Sequence, residues 1–161
     1  MELMRKFNFS EWENSIYKTK ANILFPISSH LNLLVKSLKK NKNKYKHIKK
    51  IIASSSQVSQ KTKQTLVKQY SKIFFETYGA AEIAFVSILK PKDHISKKNS
   101  VGKVSKGVDV KIIKKDKKDY GEICCNSKFL SYFSNKEKKN KNIFIKEKYF
   151  RTGDLGYIDK D

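Results

Sequence analysis

Over the first 90 residues the apolar positions change period again and again, and that alternation constrains the fold more than any other feature. Leu31, Leu34, Val35 and Leu38 recur at i, i+3, i+4 and i+7, the spacing of one helix face. Thr62, Leu66, Val67 and Tyr70 make a second such face, and Trp12, Ile16 and Tyr17 an earlier stripe. Ser10 and Glu13 ahead of that stripe stand at capping-box spacing, which predicts a helix start there. Short apolar runs of strand length lie between the helices. They are Asn22-Ile23-Leu24-Phe25, closed by Pro26; Ile48, Ile51 and Ile52; Ile73-Phe74-Phe75, running into Tyr78-Gly79; and 83–89. Residues 41–46 read as a polar linker, and Ser54-Ser55-Ser56 as a turn. The order helix, strand, helix, strand, helix, strand, strand predicts an α/β fold: part of a parallel or mixed sheet with covering helices.

After Pro91 the pattern changes. Val108, Val110 and Ile112 alternate, as in a half-buried antiparallel strand. Gly121-Glu122-Ile123-Cys124-Cys125 and 142–145 read as further short strands. A boundary near Lys97 is expected, with a partial α/β sheet subdomain over 1–97 and part of a small antiparallel β-barrel over 98–161.

Composition excludes several classes. The 161 residues, with 39% hydrophobic residues and 18 Phe and Tyr, can build a core, unlike a disordered chain. The apolar run 83–89 is far short of the roughly 20 residues needed to span a bilayer. Residues 1–10 lack the apolar stretch of a secretory signal. Two adjacent cysteines cannot build a metal cage, and unpaired thiols without a signal point to a reducing, cytoplasmic compartment.

The formal net charge is +21, from 36 basic and 15 acidic residues. All basic residues but Arg5 and Arg151 are lysine, whereas specific nucleic-acid readers lean on the bidentate fork of arginine. The lysines crowd into 36–50, 90–106 and 136–148, where asparagine is frequent too. That composition, with Ile, Phe and Tyr in the core, matches an AT-rich coding sequence. The balance favours solvated surface charge over a nucleic-acid surface, an anionic membrane or an acidic protein partner, and no specific nucleic acid is expected.

Two stretches carry chemistry. Phe150-Arg151-Thr152-Gly153-Asp154-Leu155 sets a carboxylate just after a glycine turn at a strand end. A carboxylate there can accept from both vicinal hydroxyls of a ribose, while the plainer role for Asp154 is to cap a turn. Tyr78-Gly79-Ala80-Ala81-Glu82 follows a strand, where ligands of α/β sheets bind. Gly79 permits close backbone approach, Tyr78 offers a ring face for a base, and Glu82 offers a hard oxygen for magnesium. The plainer role is a turn into a core strand.

Phe150 to Leu155 resembles the Tyr-Arg-Thr-Gly-Asp-Leu signature of adenylate-forming enzymes: acyl-CoA synthetases, luciferases and peptide-synthetase adenylation domains. Tyr78 to Glu82 resembles that family's Tyr-Gly-x-Thr-Glu. Ser100-Val101-Gly102-Lys103-Val104 is similar to its Gly-x-Val-Gly-x-Pro, Gly121-Glu122-Ile123 to its Gly-Glu-(Ile/Leu), 54–59 to its Ser-Gly-Ala-x-Leu-Ser, and Leu24-Phe25-Pro26 to its Val-Pro before a Leu-rich helix. The motifs run in family order over nearly the whole chain. The resemblance implies an ATP-dependent acid–thiol ligase, most like an acyl-CoA synthetase. Such an enzyme adenylates a carboxylic acid, fatty or other, and passes the acyl group to the thiol of CoA or a carrier protein. By this resemblance Tyr78 and Gly79 belong to the nucleotide site, Tyr78 stacking on adenine. The Ser55-Ser56 turn and the Glu76-Thr77 backbone line the adenine pocket, Asp154 holds the ribose, and Glu82 holds Mg2+. No residue is assigned a catalytic role.

Ala81 stands where the family has a Thr whose hydroxyl meets the α-phosphate, and Ser131 where it has Gly. Nothing matches the family's Gly-rich phosphate loop or its C-terminal lid domain with the catalytic Lys. The resemblance therefore implies a middle slice of the large domain that is inactive alone. The alternative is a non-catalytic remnant of a broken gene, or a basic binding module.

Overall fold

The helix face at Leu31, Leu34, Val35 and Leu38 is buried along its whole length, and a parallel sheet supplies the surface that covers it. The computed structural model describes residues 4–40, 42–70, 72–114, 116–117, 119–130, 143–145 and 148–160. It divides into two units, Met1–Thr77 with Leu89–Gly102, and Tyr78–Ile88 with Lys103–Asp161.

The first unit carries α1 (Phe9–Thr19), β1 (Ile23–Leu24), α2 (Ser28–Lys40), β2 (Lys50–Ala53), α3 (Gln60–Tyr70) and the start of β3 (Phe74–Ala80). β1 pairs with β2, and β2 with β3, all parallel, with Leu24 opposite Ile51 and Ala53 opposite Glu76. Ile16, Leu24, Leu31, Leu34, Leu38, Ile51, Leu66 and Phe74 form the core. Each side chain fully buried in that way contributes about 1.5–3 kcal/mol of transfer free energy. The mixed sheet and covering helices agree with the predicted fold class.

Local details differ from the sequence expectations. Helix α1 is capped by Asn8, whose Oδ1 accepts from the Ser10 and Glu11 amides at 3.0 and 3.2 Å; Ser10 lies inside the helix. Tyr17 leaves the apolar stripe and is exposed, with the Lys20 ammonium 4.6 Å from its ring centre. The run 22–25 is not a buried strand: only Leu24 is buried, while Ile23 and Phe25 are about half exposed. In place of a polar linker, Lys42–Tyr45 forms a 3-10 turn. Its Tyr45 is buried and bonded through its hydroxyl to Glu13 and to Ser37 Oγ, the latter at 2.9 Å. Lys36, Lys39 and Lys40 belong to α2 rather than to a loop.

The second unit holds the end of β3, then β4 (Ala84–Leu89, whose last residue falls in the first unit) and β5 (Lys103–Val104), antiparallel to β4. A separate antiparallel sheet has the order β6-β7-β9-β8, from Val108–Ile113, Gly121–Ser127, Tyr149–Gly156 and Phe144–Ile145. Val108, Val110 and Ile112 alternate with exposed neighbours as predicted. Ile83, Val86, Cys125, Phe144 and Phe150 form its core. Asn142, Ser131 and most of the 136–148 lysine cluster lie outside the described residues. No helix among the described residues is long and apolar enough to cross a membrane.

Candidate functional site

The carboxylate of Asp154 owes its position to an irregularity in β9. Glu122 pairs with Leu155 and Cys124 with Arg151, so two steps along β7 face four along β9. Thr152, Gly153 and Asp154 thus lie opposite Ile123 alone, a surplus of two residues. Gly153 takes φ +78°, the left-handed backbone that glycine adopts without strain, and Asp154 emerges exposed. Three contacts hold the bulge. Thr152 Oγ1 donates to Ile123 O at 2.8 Å. The Asp154 amide donates to Thr152 Oγ1 at 3.1 Å. Arg151 donates through Nε at 3.0 Å and Nη2 at 2.5 Å to Glu122 Oε2, bracing the two ends of the irregularity.

Tyr78 comes to the same place from the end of β3. Its ring packs against the second core, and its hydroxyl donates to Asp154 Oδ2 at 2.8 Å. Burial raises the phenol pKa; the Thr152 hydroxyl pulls the other way, and the Asp154 charge adds to the rise. The phenol is therefore a hydrogen-bond donor at neutral pH. Gly79 follows on the strand, and a Cβ there would lie 1.9 Å from Ala84 O, so its bareness serves the close passage of β4. Ala81 is exposed and Glu82 half-buried in the turn 81–83, after the strand end. Thus Tyr78-Gly79-Ala80 belongs to β3 itself, not to the stretch behind it.

The remaining predicted residues lie in the first unit. Ser55 takes φ +77° in an exposed bend, and Ser56 O accepts from Ser28 Oγ at 2.6 Å, which ties the bend to the start of α2. Thr77 Oγ1 donates to Ala53 O at 3.1 Å across the sheet. The Glu76 Oε1 atom lies 2.7 Å from Lys63 Nζ and 3.3 Å from His94 Nδ1, both ion-pair distances without hydrogen-bond alignment. Burial alone would raise its pKa, but contact with His94 and Lys63 holds the carboxyl below the usual range. His94 is buried, stacks on Phe74 at 4.7 Å, and has Nε2 3.0 Å from Phe74 O.

So the structure brings Tyr78 and Asp154 into contact within one unit. Ser55, Ser56, Glu76 and Thr77 it assigns to the other. Thr152, the Arg151–Glu122 brace, Lys63 and His94 were not foreseen as site residues. Glu122 and Arg151 stand within noted motifs, which was the available signal; Lys63 and His94 carried none. Cys124 and Cys125 face opposite sides of β7, yet both are fully buried, and burial pushes the Cys125 thiol up to about 11 and raises Cys124 as well. Neither is a nucleophile at neutral pH. No cluster of three or more metal-ligating side chains occurs among the described residues.

A family model described as "AMP-binding enzyme" matches residues 2–132. A probable 4-coumarate–CoA ligase of Dictyostelium discoideum is 28% identical over 170 residues, covering 99% of this chain and 30% of that protein. A 4-coumarate–CoA ligase-like protein of Arabidopsis thaliana is 35% identical over 98 residues, 53% of this chain and 18% of that one. The chain thus spans less than a third of these curated relatives. Among solved structures, o-succinylbenzoate CoA synthetase of Bacillus subtilis bound to its acyl-adenylate superposes with TM-score 0.83 at 22% identity, over 98% of this chain and 33% of that one. An amide bond synthetase of Marinactinospora thermotolerans gives 0.85 at 19%, with the same coverage. At these identities the structural likeness speaks for the fold.

Proposed function

The chain belongs to the AMP-binding enzyme family, and on that premise we propose that it forms part of the nucleotide site of an ATP-dependent acid–thiol ligase. In the first step a carboxylate oxygen attacks the α-phosphorus of ATP, forming the acyl–AMP bond and expelling pyrophosphate. In the second a thiol attacks the acyl carbon, forming a thioester and releasing AMP. Relatives named as CoA ligases favour CoA as the acceptor over a carrier protein. Both local thiols are buried and raised in pKa, which fits an acceptor from outside the chain.

The observation that carries this reading is the exposed Asp154 carboxylate on the β9 bulge beside Tyr78. In it, Asp154 takes the ribose hydroxyls and Tyr78 offers its ring to adenine. The motif resemblance assigns the Ser55-Ser56 bend and the Glu76-Thr77 backbone to the base, and puts Ala81, which has no hydroxyl, at the α-phosphate position. Glu82 supplies one carboxylate and no three-ligand cluster accompanies it among the described residues. That donor set fits Mg2+ carried in on the phosphates, since the ion keeps waters and phosphate oxygens and needs only one or two carboxylates. The ion would neutralise phosphate charge; the chain's own residues bind and orient.

The test is ATP–pyrophosphate exchange by the protein as isolated from its source, over a panel of aromatic and aliphatic carboxylic acids. At least one acid is expected to raise exchange above the acid-free rate. No acid doing so, across the panel, would contradict the reading.

A further inference from the structure

We propose that the Tyr78 hydroxyl is a positioning group for Asp154, holding one carboxylate oxygen so that the other faces the vicinal hydroxyls of a bound ribose. This rests on the nucleotide reading above and adds to it a task for the phenol that is separate from any role of the ring. The phenol donates to Asp154 Oδ2 at 2.8 Å, a charge-assisted bond. A carboxylate offers about four acceptor positions on two oxygens, and Tyr78 uses one of them, so its bond and those of a diol add rather than compete.

The need for such a group follows from the bulge. Thr152 fixes the Asp154 backbone through the 3.1 Å bond to its amide, and is itself fixed to Ile123 O. Neither contact restrains the exposed carboxylate, which by itself would turn freely about its side-chain torsions. Tyr78, with its ring packed in the core of the same unit, is a rigid arm that reaches it. Ligand binding then avoids part of the cost of ordering that side chain.

Tyr78→Phe keeps the ring and removes the hydroxyl. Two readouts separate the inference from the reading beneath it. The first needs no ligand: NMR three-bond couplings of Asp154. They are expected to report one side-chain rotamer in the wild type and averaged rotamers in Tyr78→Phe. The second is calorimetric titration of AMP and of 2′,3′-dideoxy-AMP. AMP affinity is expected to fall about five- to tenfold in Tyr78→Phe, the cost of ordering one freed side chain on binding, with dideoxy-AMP affinity unchanged. In an Asp154→Ala background the same change should have no effect on AMP. Unchanged Asp154 couplings in Tyr78→Phe, or equal losses for both nucleotides, would overturn the positioning role and leave the nucleotide reading standing. A wild type that binds neither nucleotide would overturn that reading, while the couplings still decide whether Tyr78 holds Asp154. Should Tyr78→Phe unfold, Asp154→Asn with Tyr78 intact must still show a single rotamer at 154.

Discussion

Glu76 and Asp154 are both carboxylates in noted motifs, and their surroundings give them different work. Asp154 is exposed and tethered by one phenol. Glu76 is mostly buried between Lys63 and His94 and titrates below its ordinary value of 4.5. A carboxyl with a depressed folded pKa contributes stability that is fully present above the unfolded value and is lost as pH falls through the folded one. Glu76→Gln leaves the buried Lys63 without its counter-charge, an expected loss of about 1–3 kcal/mol at pH 7. Urea unfolding at a series of pH values should show that gap closing below pH 4.5; a constant gap would contradict the ion-pair account. Asp154 was legible because turn and carboxylate are contiguous in sequence. The partners of Glu76 were not, because a helix and a distant loop deliver them and nothing local marks Lys63 among 34 lysines.

Helices and strands followed from hydrophobic period, which depends on burial, and burial is what the pattern records. Caps and bulges depend on single hydrogen bonds and escaped it. Asn8 and Ser10, both residue types that can cap a helix, stand near the start of α1, and the backbone places Asn8 at the cap. Asn8→Ala should therefore cost about 1 kcal/mol and Ser10→Ala no more than about 0.5 in thermal unfolding; the reverse ranking would restore the capping box at Ser10. The two motif glycines should also separate. At Gly79 a methyl would collide with backbone at 1.9 Å, whereas at Gly153 nothing lies within 4 Å and only the left-handed backbone resists. Gly153→Ala should cost about 1–2 kcal/mol, and Gly79→Ala clearly more, since the β3–β4 turn must move. Equal losses by circular dichroism melting would mean that the hairpin gives way easily.

At the scale of the whole chain, a formal net charge of +21 sits on a member of a family described as AMP-binding enzymes. Binding to DNA should be indifferent to sequence and disappear between low and physiological salt, as counterion release dictates. Anisotropy with two unrelated duplexes reads this, and selective binding at physiological salt would contradict it. The order of the motifs carried the family, and periodicity the fold class. The division into units interleaved along the chain was not legible, because the residues that group 78–88 with 103–161 pack at long sequence range. The central claim is that Asp154 holds a ribose. The most direct test is calorimetric titration of AMP into the folded chain and into Asp154→Ala. The wild type should bind, and the variant should bind at least about tenfold more weakly at nearly unchanged melting temperature. Equal affinities in two folded proteins would contradict the claim.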